Sequence, residues 1–96
     1  MTYHIKIVTA AQRDLKALAR SKTVFQPLVH AINGLAKNPR PAGTKHIKGN
    51  IYRIRVGDYR IIYQVEDDVL LVLVLRAGHR REAYRNLPAL LKSYLK

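Results

Sequence analysis

Three arginines, Arg53, Arg55 and Arg60, flank the dipeptide Gly57-Asp58, and a second basic run, His79-Arg80-Arg81, is followed by Tyr84 and Arg85. Guanidinium groups suit phosphate because their planar fork donates two hydrogen bonds at once. A histidine among arginines is pushed toward its neutral form and can act as a base. A tyrosine can orient a hydroxyl or stack on a base. RNA carries its own nucleophile in the 2′-hydroxyl, so its cleavage needs only a base, an acid and cations that stabilise the phosphorane. Each residue also has an ordinary use. Arginine stems cover apolar surface, a loop histidine is commonly just polar, and Tyr84 can be a rim aromatic.

The local pattern around the arginines is that of a hairpin. Ile51–Val56 and Tyr59–Val65 are β-rich runs separated by Gly57-Asp58, a pair that suits a type II′ turn. A two-residue turn there places Arg55 opposite Arg60, Arg53 opposite Ile62 and Tyr52 opposite Tyr63. Side chains alternate, so Arg53, Arg55 and Arg60 share one face, while Tyr52, Ile54, Val56, Tyr59, Ile61 and Tyr63 share the other and form core. Like charges directly opposite each other destabilise a strand pair by about a few tenths of a kcal/mol. An anion held between them reverses the sign.

The remaining elements must hold this hairpin in place. Tyr3–Val8 reads as a strand, and Thr9 as the cap of a helix from about Ala10 to Arg20. Leu15, Leu18, Ala11 and Ala19 lie on its inner face, with Arg13, Asp14 and Lys16 outward. Ser21 caps a second helix whose regular part is expected at Phe25–Lys37, with Phe25, Leu28, Val29, Ile32 and Leu35 packing on the sheet. Pro27 belongs in its first turn. Asn38 to Gly43 form a loop and His46–Lys48 a short strand. Asp67-Asp68 turns the chain into Val69–Ala77, an apolar run expected as a central strand buried on both faces. That second turn places Arg60 opposite Leu75, so Gly78-His79-Arg80-Arg81 leaves the sheet beside the arginines. Pro88 opens a short C-terminal helix to about Tyr94. The order β-α-α-β-β-β-β-α predicts an α+β fold: a small, mostly antiparallel twisted sheet with two N-terminal helices packed on it.

The chain has 96 residues and a formal charge of +12. One domain spanning 1–96 is expected at that length. Residues 37–60 carry +6 and residues 76–96 carry +5, whereas residues 61–75 carry −3. A polyanion is the natural partner class, nucleic acid before membrane. There is no cysteine, which removes a disulfide framework, a thiolate zinc site and a thiol nucleophile together. The acidic run Glu66-Asp67-Asp68 sits in a turn at the far end of the hairpin, so neither a metal site nor any other cofactor is expected. Apolar runs are too short for a bilayer span and the N-terminus has no signal-like stretch, so a cytoplasmic protein is expected.

The chain resembles toxins of the RelE/ParE superfamily from type II toxin–antitoxin modules. The resemblance covers nearly the whole length. It is carried by Ile5-Lys6-Ile7-Val8-Thr9-Ala10-Ala11, Lys45-His46-Ile47-Lys48-Gly49, the hairpin from Ile51 to Tyr63, and Gly78 to Arg85. It implies a ribosome-dependent endoribonuclease that cleaves mRNA in the 30S A site, without a metal, by attack of the 2′-hydroxyl on the adjacent phosphate. The family's basic strand positions fall on Arg53 and Arg55, its next-strand arginine on Arg60, its post-sheet arginine on Arg80 or Arg81, and its C-terminal tyrosine on Tyr84. The best-known RelE-type members carry lysines where this chain has Arg53 and Arg55. Arg55 is a poor base, so the resemblance leaves the base open between His79, as in some relatives, and a basic residue of the strands. Arg55, Arg60, His79, Arg80 and Tyr84 are thus the candidate catalytic set; Lys45, Lys48, Arg53, Arg81 and Arg85 are candidate RNA contacts. The resemblance also implies an acidic, RelB-like antitoxin as partner. A ParE-like inhibitor of DNA gyrase is the alternative on the same fold.

Overall fold

The computed structural model describes residues 2–84 together with 88, 89 and 92. Strand β1 (His4–Ile7) leads into helix α1 (Thr9–Leu18) and helix α2 (Lys22–Gly34). Strands β2 (Lys45–Lys48), β3 (Ile51–Val56) and β4 (Tyr59–Glu66) follow, then a 3₁₀ turn (Asp67–Val69) and strand β5 (Leu71–His79). The sheet runs β1-β5-β4-β3-β2, with β1 parallel to β5 and every other pairing antiparallel. This is the expected α+β architecture. Of the expected C-terminal helix, Pro88, Ala89 and Lys92 are helical, and the rest lies outside the described residues.

The helix boundaries differ from expectation for local reasons. Val8, not Thr9, is the N-cap of α1, because Val8 is still extended and its N–H pairs with Val74 O at 3.1 Å while its carbonyl accepts from Gln12 N at 2.9 Å. The helix therefore starts directly off the strand, and it stops at Leu18, leaving Ala19 exposed at the C-cap. Helix α2 begins at Lys22, three residues before the expected Phe25, because the Ser21 carbonyl already accepts from Val24 and Phe25. Ser21 is the N-cap by backbone only; its hydroxyl bonds Thr23 Oγ1 instead. Pro27 thus falls inside the helix rather than in its first turn. Pro27 and Thr23, whose carbonyl would otherwise be paired there, are both exposed, so water can replace the lost bond. Residues 35–37 close with i→i+3 bonds, so Leu35 is buried in a tightened last turn and not in the α-helix proper.

The β3–β4 register matches the expected one at every pair, including Arg55 with Arg60 and Tyr52 with Tyr63. Gly57 has φ +61° and Asp58 has a negative φ, as a type II′ turn requires. The next register does not match. The 3₁₀ turn and left-handed Leu70 (φ 51°) lengthen the connection, and Leu75 bulges out of the β4–β5 ladder. Arg60 therefore faces Gly78, not Leu75. Strand β5 starts at Leu71 rather than Val69 and is, as expected, an interior strand with residues in the cores on both faces; the middle strand of the five is β4, buried from Arg60 to Val65.

The helices cover one face of the sheet. Ala11, Leu15, Leu28, Ile32 and Leu35 pack there on Ile61, Tyr63, Val65, Val72, Val74 and Ala77. Burying that apolar surface, at roughly 25 cal/mol per Å², is what holds the layers together. A smaller cluster of Ile51, Ile62, Leu75 and Ala83 lies on the opposite face, and neither α1 nor α2 contributes to it. Asp14, expected outward on α1, turns inward. Its carboxylate accepts from Arg76 Nε at 2.7 Å and from the Ala77 N–H at 3.0 Å, beside the β5 bulge. No described helix is long and apolar enough to cross a membrane.

Candidate nucleic-acid interface

The face away from the helices carries two cross-strand rows of cations. Lys45, Arg53 and Ile62 form one row; Arg55, Arg60 and Gly78 form the next. Gly78 has no side chain, and a Cβ there would sit 3.6 Å from the Ala83 nitrogen, so the chain returning from β5 lies close against this row. Arg55 and Lys45 are exposed and Arg53 is partly buried. Arg60 is different: it is only 6% exposed, and its Nη1 donates to the carbonyls of Gly57 at 3.2 Å and Tyr59 at 3.0 Å. No carboxylate among the described residues pairs with Arg55 or Arg60. A desolvated guanidinium facing a second arginine is costly unless an anion joins them.

The segment after β5 wraps around the hairpin turn. Arg80 N donates to the Asp58 carbonyl at 2.9 Å, and the N–H groups of Glu82 and Ala83 both bond His79 O. This tight turn seats Ala83 on Ile51, Ile62 and Leu75, so it closes on the arginine side of the sheet and ends at exposed Tyr84. Arg80 and Arg81 are exposed on the turn, and Lys48 is exposed at the end of β2. His79 goes the other way. It pairs across the ladder with Tyr59, and the two rings meet edge-to-face with centroids 5.6 Å apart. Tyr59 packs on the helix-side core, so the His79 ring and the Arg55–Arg60 pair occupy opposite faces. Arg85 lies outside the described residues.

The sequence reading missed Tyr59 as the neighbour of His79. Alternation puts Tyr59 on the core face of the hairpin, but the length of the second turn is not legible in the residues, so the partner of Tyr59 on the next strand is not either. Among the described residues no group of three or more His, Asp or Glu side chains is arranged to hold a metal ion.

Residues 5–84 match the family of ParE toxins of type II toxin–antitoxin systems (parDE). The chain belongs to the RelE/ParE toxin superfamily. Its relatives include toxin RelG of Mycobacterium tuberculosis, 30% identical over an alignment of 88 residues, with 88% of this chain and 99% of RelG covered. An arginine-substituted mutant of Escherichia coli toxin RelE in the free state superposes with a TM-score of 0.79 at 26% identity, covering 99% of this chain and 100% of that one. RelE in the archaeal RelE–RelB complex from Pyrococcus horikoshii gives a TM-score of 0.70 at 28% identity, over 83% of this chain and 97% of that one.

Two other arginines of this RelE/ParE toxin are committed to structure. Arg40 grips Asp67 with both nitrogens, at 3.1 and 2.7 Å, and lies 4.9 Å over the Tyr52 ring. Tyr3 Oη donates to the same carboxylate at 2.5 Å. The Arg40 hydrogen bonds, then that of Tyr3, hold the Asp67 carboxyl at about 2, below the usual carboxylate range, and Asp67 in turn raises both Arg40 and Tyr3. Arg76 is likewise raised, chiefly by its hydrogen bond to Asp14.

Proposed function

We propose that this toxin is a ribosome-dependent endoribonuclease that cuts mRNA in the 30S A site, the 2′-hydroxyl attacking the adjacent phosphate without a metal ion. The observation that carries the reading is the Arg55–Arg60 pair, which faces across the hairpin and, among the described residues, makes no ion pair with a carboxylate. In this reading exposed Arg55 grips the scissile phosphate. Arg60, already desolvated, supplies a fixed positive potential behind it, where a low dielectric makes that potential count for more. Arg80 adds charge from the turn locked onto Asp58, and Tyr84 orients the nucleotide or moves a proton. His79 could act as base only from around the end of β5, so it stands behind Tyr84. Lys45, Lys48, Arg53, Arg81 and Arg85 contact surrounding RNA.

The toxin would act in the cytoplasm and be held in check by an acidic, RelB-like antitoxin. The RelE–RelB complexes among the structural neighbours support such a partner. Primer extension on translated mRNA tests the reading: cuts at A-site codons are expected, and growth arrest without such cuts would overturn it.

The ParE description of the matched family favours a second reading, inhibition of DNA gyrase by a toxin without nuclease activity. Supercoiling by purified gyrase separates the two, because an RNA cleaver leaves that reaction untouched.

A further inference from the structure

The bulge in β5 divides the β4–β5 ladder into two registers. On one side of it Tyr63 pairs with Val74; on the other, Ile62 pairs with Arg76, and Leu75 is the extra residue. Carried on without a bulge, the first register would set Arg60 opposite Ala77 and Tyr59 opposite Gly78. Strand β1 leaves β5 at the same place. Its last pair is Ile7 with Val74, and Val8 N donates to Val74 O before the chain enters α1. Beyond Val74 that edge of β5 has no strand partner among the described residues. Asp14 of α1 fills the gap. Its Oδ2 accepts from the Ala77 N–H at 3.0 Å and from Arg76 Nε at 2.7 Å, and its Oδ1 accepts from Arg76 Nη2 at 3.2 Å. One partly buried carboxylate thus ties the two residues directly after the bulge to the helix.

We propose that Asp14 is a positioning residue for the arginine site: by holding the bulge, it sets the register that brings Gly78 opposite Arg60 and the following turn onto the hairpin. For the chemistry of that site the proposal rests on the nuclease reading above. A bulge disrupts its ladder locally, and Ala77 is buried, so its N–H needs an acceptor that the helix supplies. Three residues on, Arg80 N bonds Asp58 O, and His79 O takes the N–H groups of Glu82 and Ala83. The turn that carries Arg80, Arg81 and Tyr84 therefore hangs from the residues Asp14 fixes. Loosening the bulge moves β5 toward its other register. A methyl group then replaces the bare Gly78 opposite Arg60, and Arg80 stands one residue, about 3.3 Å, further along. A displacement of about 1 Å can already cost a factor of about 100 in rate.

The test compares the full wild-type chain with Asp14→Ala, Asp14→Asn and Arg40→Ala, the last breaking the paired arginine at the other end of the hairpin. Backbone NMR reads the register through the cross-strand Arg60–Gly78 contact and the exchange rate of the Arg80 N–H. Asp14→Ala is expected to weaken the contact and to speed that exchange at least about tenfold, while Arg40→Ala leaves both at the wild-type level. Single-turnover cleavage at saturating toxin, a rate independent of the folded fraction, should fall at least about tenfold in Asp14→Ala. Asp14→Asn keeps an acceptor for the Ala77 N–H but gives up the charge on Arg76, so it should lie between Asp14→Ala and wild type. A folded Asp14→Ala with the wild-type contact and exchange rate overturns the proposal. So does one whose cleavage falls no further than that of Arg40→Ala. Should Asp14→Ala not fold, Asp14→Asn at the wild-type values overturns it instead. Wild type that leaves no A-site cuts overturns the nuclease reading, and the contact and exchange rate then decide the role of Asp14 by themselves.

Discussion

At one end of the β3–β4 hairpin Arg40 closes on Asp67 with two hydrogen bonds, a tyrosine hydroxyl and an aromatic ring. At the other end Arg55 faces Arg60, and among the described residues neither makes an ion pair with a carboxylate. The two ends lie on the same strands and use the same residue type. What differs is the company: the three consecutive acids 66–68 all sit at the first end. Charge neutralised inside the protein is structure, and charge left unpaired on an ordered surface is capacity for a ligand. The Arg40 end therefore reads as a strap over the helix-side core. The Arg55 end reads as a place prepared for an anion.

Breaking the unpaired end should have the largest effect, and on activity. Arg55→Ala is expected to lower A-site cleavage by at least about 100-fold, measured by primer extension under single-turnover conditions. Tyr84→Phe should also lose activity, whereas His79→Ala should lose less if Tyr84 is the group that serves the nucleotide. A larger loss from His79→Ala would return the base to His79.

Breaking a paired arginine should instead cost stability. Asp14→Ala strands the partly buried Arg76 guanidinium and leaves the Ala77 N–H without its acceptor, so urea denaturation should show a loss of about 2 kcal/mol. The contrast is sharpest in a smaller effect. Arg55→Ala should stabilise the fold by about a few tenths of a kcal/mol, because it removes a like-charge cross-strand pair. Added sulfate should narrow that gap by raising the melting temperature of wild type more than that of the variant.

The smallest effect concerns pH. The folded Asp67 carboxyl titrates at about 2, below the ordinary 3.8. Between those values the unfolded chain binds more protons, so stability rises with pH through that window and is flat above it. Thermal melts from pH 2 to pH 5 should show this acid-side rise, and Arg40→Ala should flatten it. Both groups of the pair are partly exposed, so the total change is that of a surface pair.

Much of this contrast was legible in the residues. A two-residue Gly57-Asp58 turn has one favoured geometry, and period-2 alternation then fixes who faces whom, so Arg55 opposite Arg60 follows from counting. The burial of Leu28, Ile32 and Leu35 follows from helical spacing in the same way. Counting failed where a connection was longer than its turn residues suggest. The left-handed Leu70 and the bulge at Leu75 moved Arg60 from Leu75 to Gly78 and put His79 beside Tyr59.

By itself, then, the sequence determined the element order, the hairpin register and the excess of positive charge, because these depend on local turn chemistry and on periodicity within a few residues. Tertiary structure decided which charges are spent. Arg40 meets Asp67, Arg76 meets Asp14 and Arg60 folds onto its own turn because packing brings together groups far apart in the chain, or shuts one away from water. It also decided that Ala83 seats on the arginine side of the sheet while the His79 ring leaves it, since a bulge of one residue changes which side of a sheet the next side chains occupy.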